Sequence, residues 1–217
     1  MSNSATANAA TIQAQDGATM ADNARTAQPL PAIDAGAYVD MRPHADAPIT
    51  PGAPKRVALV TGASSGLGRE FARQLDSLQV ADELWLIARN EEALAAVAAS
   101  LDTPCRIMAA DLAHPEGVAS VRAQLAAEQP RVTFLVNAAG FGKFGDWQTI
   151  SEGAVNAMID LNCRALVDMT HSALPFMGRG SRIIQVASAA AFVPLPHMNV
   201  YAASKAFVLR YTRALRW

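Results

Sequence analysis

The sequence predicts an α/β fold with a doubly wound parallel sheet, because short apolar runs alternate with amphipathic helical segments from Lys55 onward. Runs that are apolar at every position indicate strands buried on both faces of the sheet. Right-handed crossovers then place helices on both faces, and ligands bind beyond the carboxyl ends of the strands. The loops that follow the strands are therefore the predicted location of the functional residues.

Five strands and five helices are predicted in alternation. The strands are RVALV at 56–60, ELWLIA at 83–88, RIMAA at 106–110, VTFLV at 132–136 and SRIIQVAS at 181–188. The helices lie at 65–78, 90–101, 115–128 and 151–174, and a last one begins near Val200. The first helix has the spacing typical of an apolar helix face, with Leu67, Phe71, Leu75 and Leu78.

Composition divides the chain near Lys55. Residues 1–54 are rich in Ala, Thr, Asn, Asp and Pro without a helical or strand period, which predicts a flexible N-terminal tail. A short docking element is predicted around residues 33–41, and a transit peptide is the weaker alternative because acidic residues outnumber arginines there. Residues 55–217 form the predicted globular domain.

Charge and cysteine content exclude several classes of function. The net charge of −1 and the scattered Lys and Arg offer no basic surface to nucleic acid or an anionic membrane. Cys105 and Cys163 lie in apolar runs and are predicted to be buried thiols rather than a disulfide framework. The four histidines lack ligand spacing, so no metal site is predicted. The chain has no apolar run of about 20 residues and no secretory signal, so a cytoplasmic protein without a membrane span is predicted.

A glycine-rich loop, TGASSGLG at 61–68, follows the first strand. Glycine there permits a tight turn and a close backbone approach to a pyrophosphate, whose charge faces the N-terminus of the next helix. The spacing is GxxxGxG, whereas many dinucleotide folds have GxGxxG. A plain glycine-rich turn explains two of the glycines but not all three. The predicted dinucleotide site comprises Gly62, Ser64, Ser65, Gly66, Leu67 and Gly68.

The end of the second strand bears on the choice between NADPH and NADH. Sites that prefer NAD usually have an acidic residue about 20 positions beyond the glycines, which bonds the ribose 2′-hydroxyl. Position 88 is Ala, and Arg89 follows. Because a guanidinium pairs with a 2′-phosphate, NADP(H) is the predicted cofactor and NAD(H) the alternative. The competing interpretation of Arg89 is a solvated side chain at the start of a helix.

Three polar residues near the fifth strand form a candidate reactive site. Ser188 ends that strand, and Tyr201 and Lys205 lie four positions apart on one face of the last helix. Carbonyl reduction requires a proton donor at the oxygen as hydride reaches the carbon. A neighbouring ammonium stabilises the phenolate of a tyrosine and brings its pKa down from about 10 toward the working pH. The serine hydroxyl is predicted to bond the substrate oxygen.

The chain resembles the short-chain dehydrogenase/reductase family over about residues 55–217. The matching residues are TGASSGLG at 61–68, Asp111-Leu112, Asn137-Ala138-Ala139-Gly140, Asn162, Ser188 and Tyr201-Ala-Ala-Ser-Lys205. The resemblance implies a Rossmann-type NAD(P)-binding domain with Tyr201 as general acid/base and as one of the residues that line the cofactor site. It also implies that Lys205 lowers the tyrosine pKa and bonds the nicotinamide ribose, and that Ser188 orients the carbonyl.

The same resemblance implies roles for polar residues at other strand ends. Asn162 is implied to hold a water of the proton relay, and Asp111 with Leu112 to contact adenine. The segment containing Asn137, Ala138 and Gly140 is implied to line the cofactor and steady the sheet. Apart from the resemblance, the alternative interpretation of Asn162 is a polar residue at a local irregularity in an apolar helix. The alternative interpretation of Asp111 is a turn residue at a strand end.

Two features depart from the family pattern. Ala138 stands where many members have a second asparagine, and the chain ends at Trp217, within the helix that carries Tyr201. Family members continue through further strands, a loop over the nicotinamide and a substrate lid. We therefore hypothesise that the chain is a C-terminally truncated member of the family that lacks the last strands of the fold.

The predicted function is an NADP-preferring oxidoreductase that interconverts a ketone or aldehyde and an alcohol, as a homodimer or homotetramer if complete. A catalytically inactive nucleotide-binding fragment or regulatory protein is the alternative. A sugar-nucleotide epimerase or dehydratase is the third class, but its usual GxxGxxG spacing does not match. Phe141, Phe144, Trp147 and residues 191–196 favour a lipophilic substrate, and ordinary packing of these loops on the sheet is the competing interpretation.

Overall fold

The computed structural model describes residues 53–215 of the chain. The predicted N-terminal tail, with its docking element at 33–41, lies outside the described residues except for positions 53 and 54. Within residues 53–215 we find no helix with the length and apolar character that a membrane span requires. In the same part of the chain, no three His, Cys, Asp or Glu side chains are grouped so that they could hold a metal ion.

All five strands of the described chain lie in one parallel sheet. They are β1 (Arg56–Thr61), β2 (Glu83–Ala88), β3 (Cys105–Ala109), β4 (Arg131–Asn137) and β5 (Met177–Gln185). Their order across the sheet is β3-β2-β1-β4-β5. The winding direction reverses between β1 and β4, and such a switch point opens a crevice at the carboxyl ends of the strands. The predicted doubly wound parallel sheet is confirmed.

Six α-helices connect or follow the strands. They are α1 (Gly66–Ser77), α2 (Glu91–Ala98), α3 (Pro115–Glu128), α4 (Glu152–Ile159), α5 (Leu166–Ala173) and α6 (Asn199–Leu215). A π-helical segment, Asp160–Ala165, joins α4 to α5. The helix predicted at 151–174 is therefore present, with the irregularity at Asn162 that a polar residue in an apolar run indicated.

Helices cover both faces of the sheet because successive strand residues point to opposite sides. Trp85 of β2 packs in a cluster with Leu125 of α3, whereas its neighbour Leu84 packs in the opposite cluster with Leu75 of α1. All four side chains are at most 3% exposed. Burying one such side chain fully is worth about 1.5–3 kcal/mol, so packing from both sides holds the sheet.

β5 differs from its predicted bounds at both ends. It begins at Met177, and the added residues include Gly178 and Gly180, which weaken the sequence signal of a strand. Gly180 has φ +91°, a conformation that a Cβ disfavours, and the register with β4 shifts in this region. The strand ends at Gln185, so Ser188 lies in the loop beyond the sheet.

A charged cluster lies at the amino-terminal edge of the sheet. Glu83, which is 8% exposed, accepts a hydrogen bond from the Trp85 indole at 2.7 Å and pairs with Lys55 at 3.1 Å. Arg106 lies 3.6 Å from the same carboxylate and over the Trp85 ring. Burial raises the pKa of Glu83, but the indole donor and the two cations outweigh it and hold the pKa below its usual value.

Glu83→Gln is expected to lower the free energy of unfolding at neutral pH by about 1.5 kcal/mol, because Gln keeps the indole bond but loses the charge. A carboxyl group whose pKa is lower in the folded chain stabilises that chain only when ionised. The effect is therefore present above the unfolded pKa of about 4.3 and is lost as the pH falls through the folded pKa. Urea unfolding of the parent and of Glu83→Gln, at neutral and at strongly acidic pH, measures this loss. If the two proteins differ in free energy of unfolding by the same amount at both pH values, the prediction is contradicted.

Candidate active site

The loops after the strands enclose an open cleft of about 720 Å³ at the carboxyl edge of the sheet. Most of the predicted site residues line it, and these are Gly62, Ser64, Ser65, Gly66, Leu67, Gly68, Arg89, Asp111, Leu112, Ala138, Gly140, Ser188, Tyr201 and Lys205. Asn137 and Asn162 are buried, at 3% and 0% exposure, and lie behind the cleft wall. The structure therefore brings the glycine loop and the Tyr201–Lys205 pair to one cleft.

The glycine loop after β1 uses its three glycines in different ways. Gly62 and Gly66 have φ of +67° and +54°, a left-handed conformation that side chains with a Cβ adopt at a cost. A Cβ on Gly62 would lie 2.9 Å from the Ala139 amide nitrogen. A Cβ on Gly68 would lie 2.2 Å from the Gly62 carbonyl oxygen. Gly66 has open space beside it, so only its conformation requires glycine. Gly62 requires glycine for both conformation and backbone packing, whereas Gly68 requires it for packing alone.

The N-terminus of α1 is open to an anion. Ser65 is the N-cap residue, and its side chain makes no capping hydrogen bond. First-turn amides and the helix dipole therefore favour a negative group at this position. Leu67 is 61% exposed and lines the cleft beside these amides, so it is not part of the buried face of α1. This arrangement of donors fits the pyrophosphate of a dinucleotide.

The far end of the cleft is formed by the residues after β2 and β3. Arg89 is exposed, lines the cleft, and makes no ion pair with any residue in the part of the chain described here. Asp111 accepts a hydrogen bond from the Ala113 amide at 3.0 Å and so shapes the turn after β3. Leu112 is 4% exposed and contributes an apolar wall. The Arg89 guanidinium is thus open to a ligand at this end.

Asn137 joins the ends of two strands to a helix. Its Nδ2 donates to Gln185 Oε1 at 3.0 Å and to Thr170 Oγ1 at 3.1 Å, and Gln185 Nε2 donates to the same hydroxyl at 3.0 Å. These bonds tie β4 and β5 to α5. Thr170 and Gln185 were not predicted as site residues, although a glutamine in an apolar strand was a usable signal. A direct contact of Asn137 with cofactor stays a prediction.

Asn162 holds the loop that follows β4. Its Oδ1 accepts from the Phe141 amide at 3.0 Å, and its Nδ2 donates to the Phe141 carbonyl at 2.9 Å. The same Nδ2 donates to Ser204 Oγ at 3.0 Å, on the helix that carries Tyr201. A Cβ on Gly140 would lie 2.9 Å from Asn162 Oδ1, which explains a glycine at that position. Ser204 was not singled out, because its position between Tyr201 and Lys205 suggested no separate role.

Tyr201 and Lys205 share the face of α6 that borders the cleft, as their spacing predicts. Lys205 is 5% exposed; its ammonium donates to the Val186 carbonyl at 2.8 Å and lies 5.8 Å from the centroid of the Tyr201 ring. Burial lowers the pKa of Lys205, and the nearby Cys163 opposes this only in part. An ammonium has three donors, so the Val186 bond leaves others for the cleft.

Ser188 is fixed in the loop after β5. Its Oγ accepts a hydrogen bond from the Ala190 amide at 3.2 Å and caps the short 3₁₀ helix Ala189–Ala191. The hydroxyl hydrogen is not used in that bond and remains able to donate. Ser188 therefore presents a donor to the cleft from the loop that follows β5.

The apolar loop residues near this end are exposed rather than packed on the sheet. Phe144 is 78% exposed and Trp147 is 74% exposed. Phe192 and Val193, in the loop that follows Ser188, are 66% and 54% exposed. Ordinary packing on the sheet does not account for these four side chains.

Residues 56–217 match the family model described as short chain dehydrogenase. The chain belongs to the short-chain dehydrogenase family. The chain is 37% identical to sulfoacetaldehyde reductase 2 of Chromohalobacter salexigens, in a match that covers 74% of this chain and 65% of the relative. It is 34% identical to 2-dehydro-3-deoxy-L-rhamnonate dehydrogenase (NAD(+)) of Sphingomonas sp., covering 74% of this chain and 64% of the relative. The chain thus spans slightly under two thirds of the length of these relatives.

Solved structures of short-chain dehydrogenases share the fold. One from Sphingobium yanoikuyae, in complex with NADPH, has 31% identity and a TM-score of 0.66, covering 75% of this chain and 64% of that one. A metagenomic short-chain oxidoreductase in complex with NADP has 32% identity and a TM-score of 0.68, covering 74% of each chain. The bulky-bulky ketone specific alcohol dehydrogenase from Comamonas testosteroni has 28% identity and a TM-score of 0.67, with coverage of 75% and 66%.

Proposed function

We propose that this short-chain dehydrogenase is an NADP-preferring oxidoreductase that interconverts a ketone or aldehyde and an alcohol. The observation that carries the proposal is the single cleft lined by both the glycine loop and the Tyr201–Lys205 pair. The glycine loop and the first turn of α1 would hold the pyrophosphate. Lys205, whose ammonium has donors left, would bond the nicotinamide ribose.

The chemistry proposed for the site is a paired transfer of hydride and proton. A bound nicotinamide cofactor supplies the hydride to the carbonyl carbon. Tyr201 gives its hydroxyl proton to the carbonyl oxygen, and the buried Lys205 ammonium stabilises the phenolate left behind. Ser188 donates its hydroxyl hydrogen to the same oxygen and orients it. In the oxidative direction, Tyr201 accepts the proton of the alcohol.

Asn162 is assigned a positioning role in this proposal. Its side chain makes three hydrogen bonds, which join the Phe141 backbone to Ser204 of α6, the helix that carries Tyr201. This buried side chain belongs to the π-helical segment. A relay water held by Asn162 stays a prediction.

NADP preference is proposed from Arg89. Arg89→Ala is expected to weaken NADPH binding about 10- to 100-fold, the effect of losing a charged hydrogen bond, and to leave NADH binding unchanged. Fluorescence titration of both cofactors measures this. Arg179→Ala is the matched control. Arg179 is an exposed arginine of β5 that does not line the cleft. An Arg89→Ala chain that binds NADPH as tightly as the parent contradicts the assignment.

The alternative function, an inactive nucleotide-binding protein, is separated from the enzyme by one pair of assays. Fluorescence titration reports NADPH binding, and absorbance reports NADPH oxidation with a panel of ketones and aldehydes. The proposal expects both signals. Binding without oxidation across the panel favours the nucleotide-binding alternative.

A lipophilic ketone or secondary alcohol is the proposed substrate class. The exposed Phe144, Trp147 and Phe192 present apolar surface on the loops beside the cleft. The Comamonas enzyme of similar structure is described as specific for bulky-bulky ketones, which supports the same class here. A homodimer or homotetramer and a cytoplasmic location stay predictions.

A further inference from the structure

The loop after β4 crosses the ring of Tyr201 and is held at its first residue. We call residues 141–146 the strap. Phe141, which begins the strap, has both backbone polar groups bonded to the Asn162 side chain. Gly142 lies directly against Tyr201, since a Cβ there would be 2.8 Å from the ring Cδ2. The strap therefore forms one wall around the ring.

The strap is also held at its last residue, by a different element. Asp146 Oδ1 lies 2.7 Å from His197 Nδ1. The Gly145 amide donates to the His197 carbonyl at 2.9 Å, and the Phe144 ring lies 5.5 Å from the His197 ring. His197 belongs to the 3₁₀ helix Pro196–Met198, immediately before the helix that carries Tyr201. We call the contact of Asp146 with His197 the distal anchor.

The distal anchor joins two loops that border the same end of the cleft. The strap contributes Phe141 and Gly142 to the cleft lining, and the segment of His197 contributes Met198. Phe144, whose ring contacts His197, is otherwise 78% exposed. Without the anchor, the second half of the strap keeps only the Gly145 amide bond to the His197 carbonyl and the Phe144 ring contact as ties to the loop before α6. The position of Phe144 relative to Tyr201 is then held less firmly.

We propose that Asp146 and His197 are positioning residues that determine preference for lipophilic substrates. Their contact holds the strap against Tyr201 and keeps Phe144 at the substrate end of the cleft, where its ring packs on the apolar arm of a ketone. The inference rests on the proposed function of the site. It assigns no part in proton or hydride transfer to either residue.

The expected effect is modest and selective. The side chain of His197 is 56% exposed and that of Asp146 is 59% exposed, so solvent weakens the attraction between them. His197→Ala or Asp146→Ala is expected to raise the KM for acetophenone about three- to fivefold. The kcat with acetophenone, the KM for acetone and the NADPH Kd are expected to stay unchanged, because acetone has no apolar arm to reach Phe144.

The experiment compares these two single variants with the double variant, His197→Gln and a control. The double variant is expected to match His197→Ala, because that single variant already removes both the Asp146 contact and the ring contact with Phe144. His197→Gln keeps a side-chain donor for Asp146 and is expected to restore most of the parent KM for acetophenone. His171→Ala, an exposed histidine on α5, is the control and is expected to match the parent.

Trypsin cleavage after Lys143, an exposed residue within the strap, tests the distal anchor in a way that does not depend on enzyme activity. His197→Ala is expected to be cleaved there faster than the parent or His171→Ala. Equal KM changes for both ketones, or additive effects in the double variant, overturn the inference. If the parent oxidises NADPH with no carbonyl, both the proposed function and the substrate role of Asp146 and His197 are contradicted. If trypsin cleaves His197→Ala after Lys143 no faster than the parent, only the distal anchor is contradicted.

Discussion

Tyr201→Phe is expected to lower kcat by about 10²- to 10⁴-fold, the usual contribution of a positioned general acid. The substitution removes only the hydroxyl group, so the ring keeps its packing against Gly142 and its place above Lys205. NADPH binding is therefore expected to be unchanged. Steady-state NADPH oxidation with acetophenone and fluorescence titration of NADPH provide the two measurements.

The control for this prediction is Tyr211→Phe. Tyr211 lies on the same helix, α6, but does not line the cleft, and its hydroxyl is buried. The same chemical change there is expected to leave kcat within about threefold of the parent, because no reacting group is touched. A Tyr201→Phe chain that keeps kcat within tenfold of the parent contradicts the acid/base assignment.

Gly68→Ala is expected to lower the free energy of unfolding by about 3 kcal/mol, at the upper end for an overpacked site. The added Cβ would lie 2.2 Å from the Gly62 carbonyl oxygen, which is backbone and does not rotate away. The shift that relieves this overlap moves the glycine loop. NADPH binding is therefore expected to be lost even where the chain stays folded.

Gly153→Ala is the matched control for this substitution. Gly153 is also a helical glycine, in the first turn of α4, but a Cβ there meets nothing within 4 Å. Alanine is favoured over glycine in a helix by about 1 kcal/mol, so this variant is expected to be as stable as the parent or more stable. Urea unfolding of the two variants separates overlap from helix propensity. Equal stability of Gly68→Ala and the parent contradicts the packing assigned to the glycine loop.

The sheet was predictable because β1, β2 and most of β4 are buried on both faces, so their sequences are nearly unbroken apolar runs. The order of elements and the carboxyl-edge position of the site followed from that pattern. The start of β5 was not predictable, since Gly178 and Gly180 give no strand signal and their place in the sheet depends on pairing with β4. The exposure of Leu67 was also missed, because helical spacing shows which residues share a face but not what covers that face.

The candidate site was predictable as a set of residues that line one cleft but not as a set of contacts. Gly62, Gly68, Tyr201 and Lys205 were predicted because the chemistry proposed for them depends on spacing along the chain. Asn162 is different, because its partners lie in other segments and a side chain's hydrogen bonds depend on tertiary packing. The distal anchor of His197 to Asp146 was invisible for the same reason, since the two residues lie in separate loops.

The most direct test of the central claim is the fate of the transferred hydride. NADPH carrying deuterium at the reactive position of the nicotinamide is incubated with the full chain and acetophenone, and the product is examined by mass spectrometry. Hydride transfer at the proposed site predicts phenylethanol with deuterium at the carbinol carbon, formed by the parent chain and almost absent with Tyr201→Phe. A chain that binds NADPH but forms no deuterated alcohol from acetophenone or from any other carbonyl tested would contradict it.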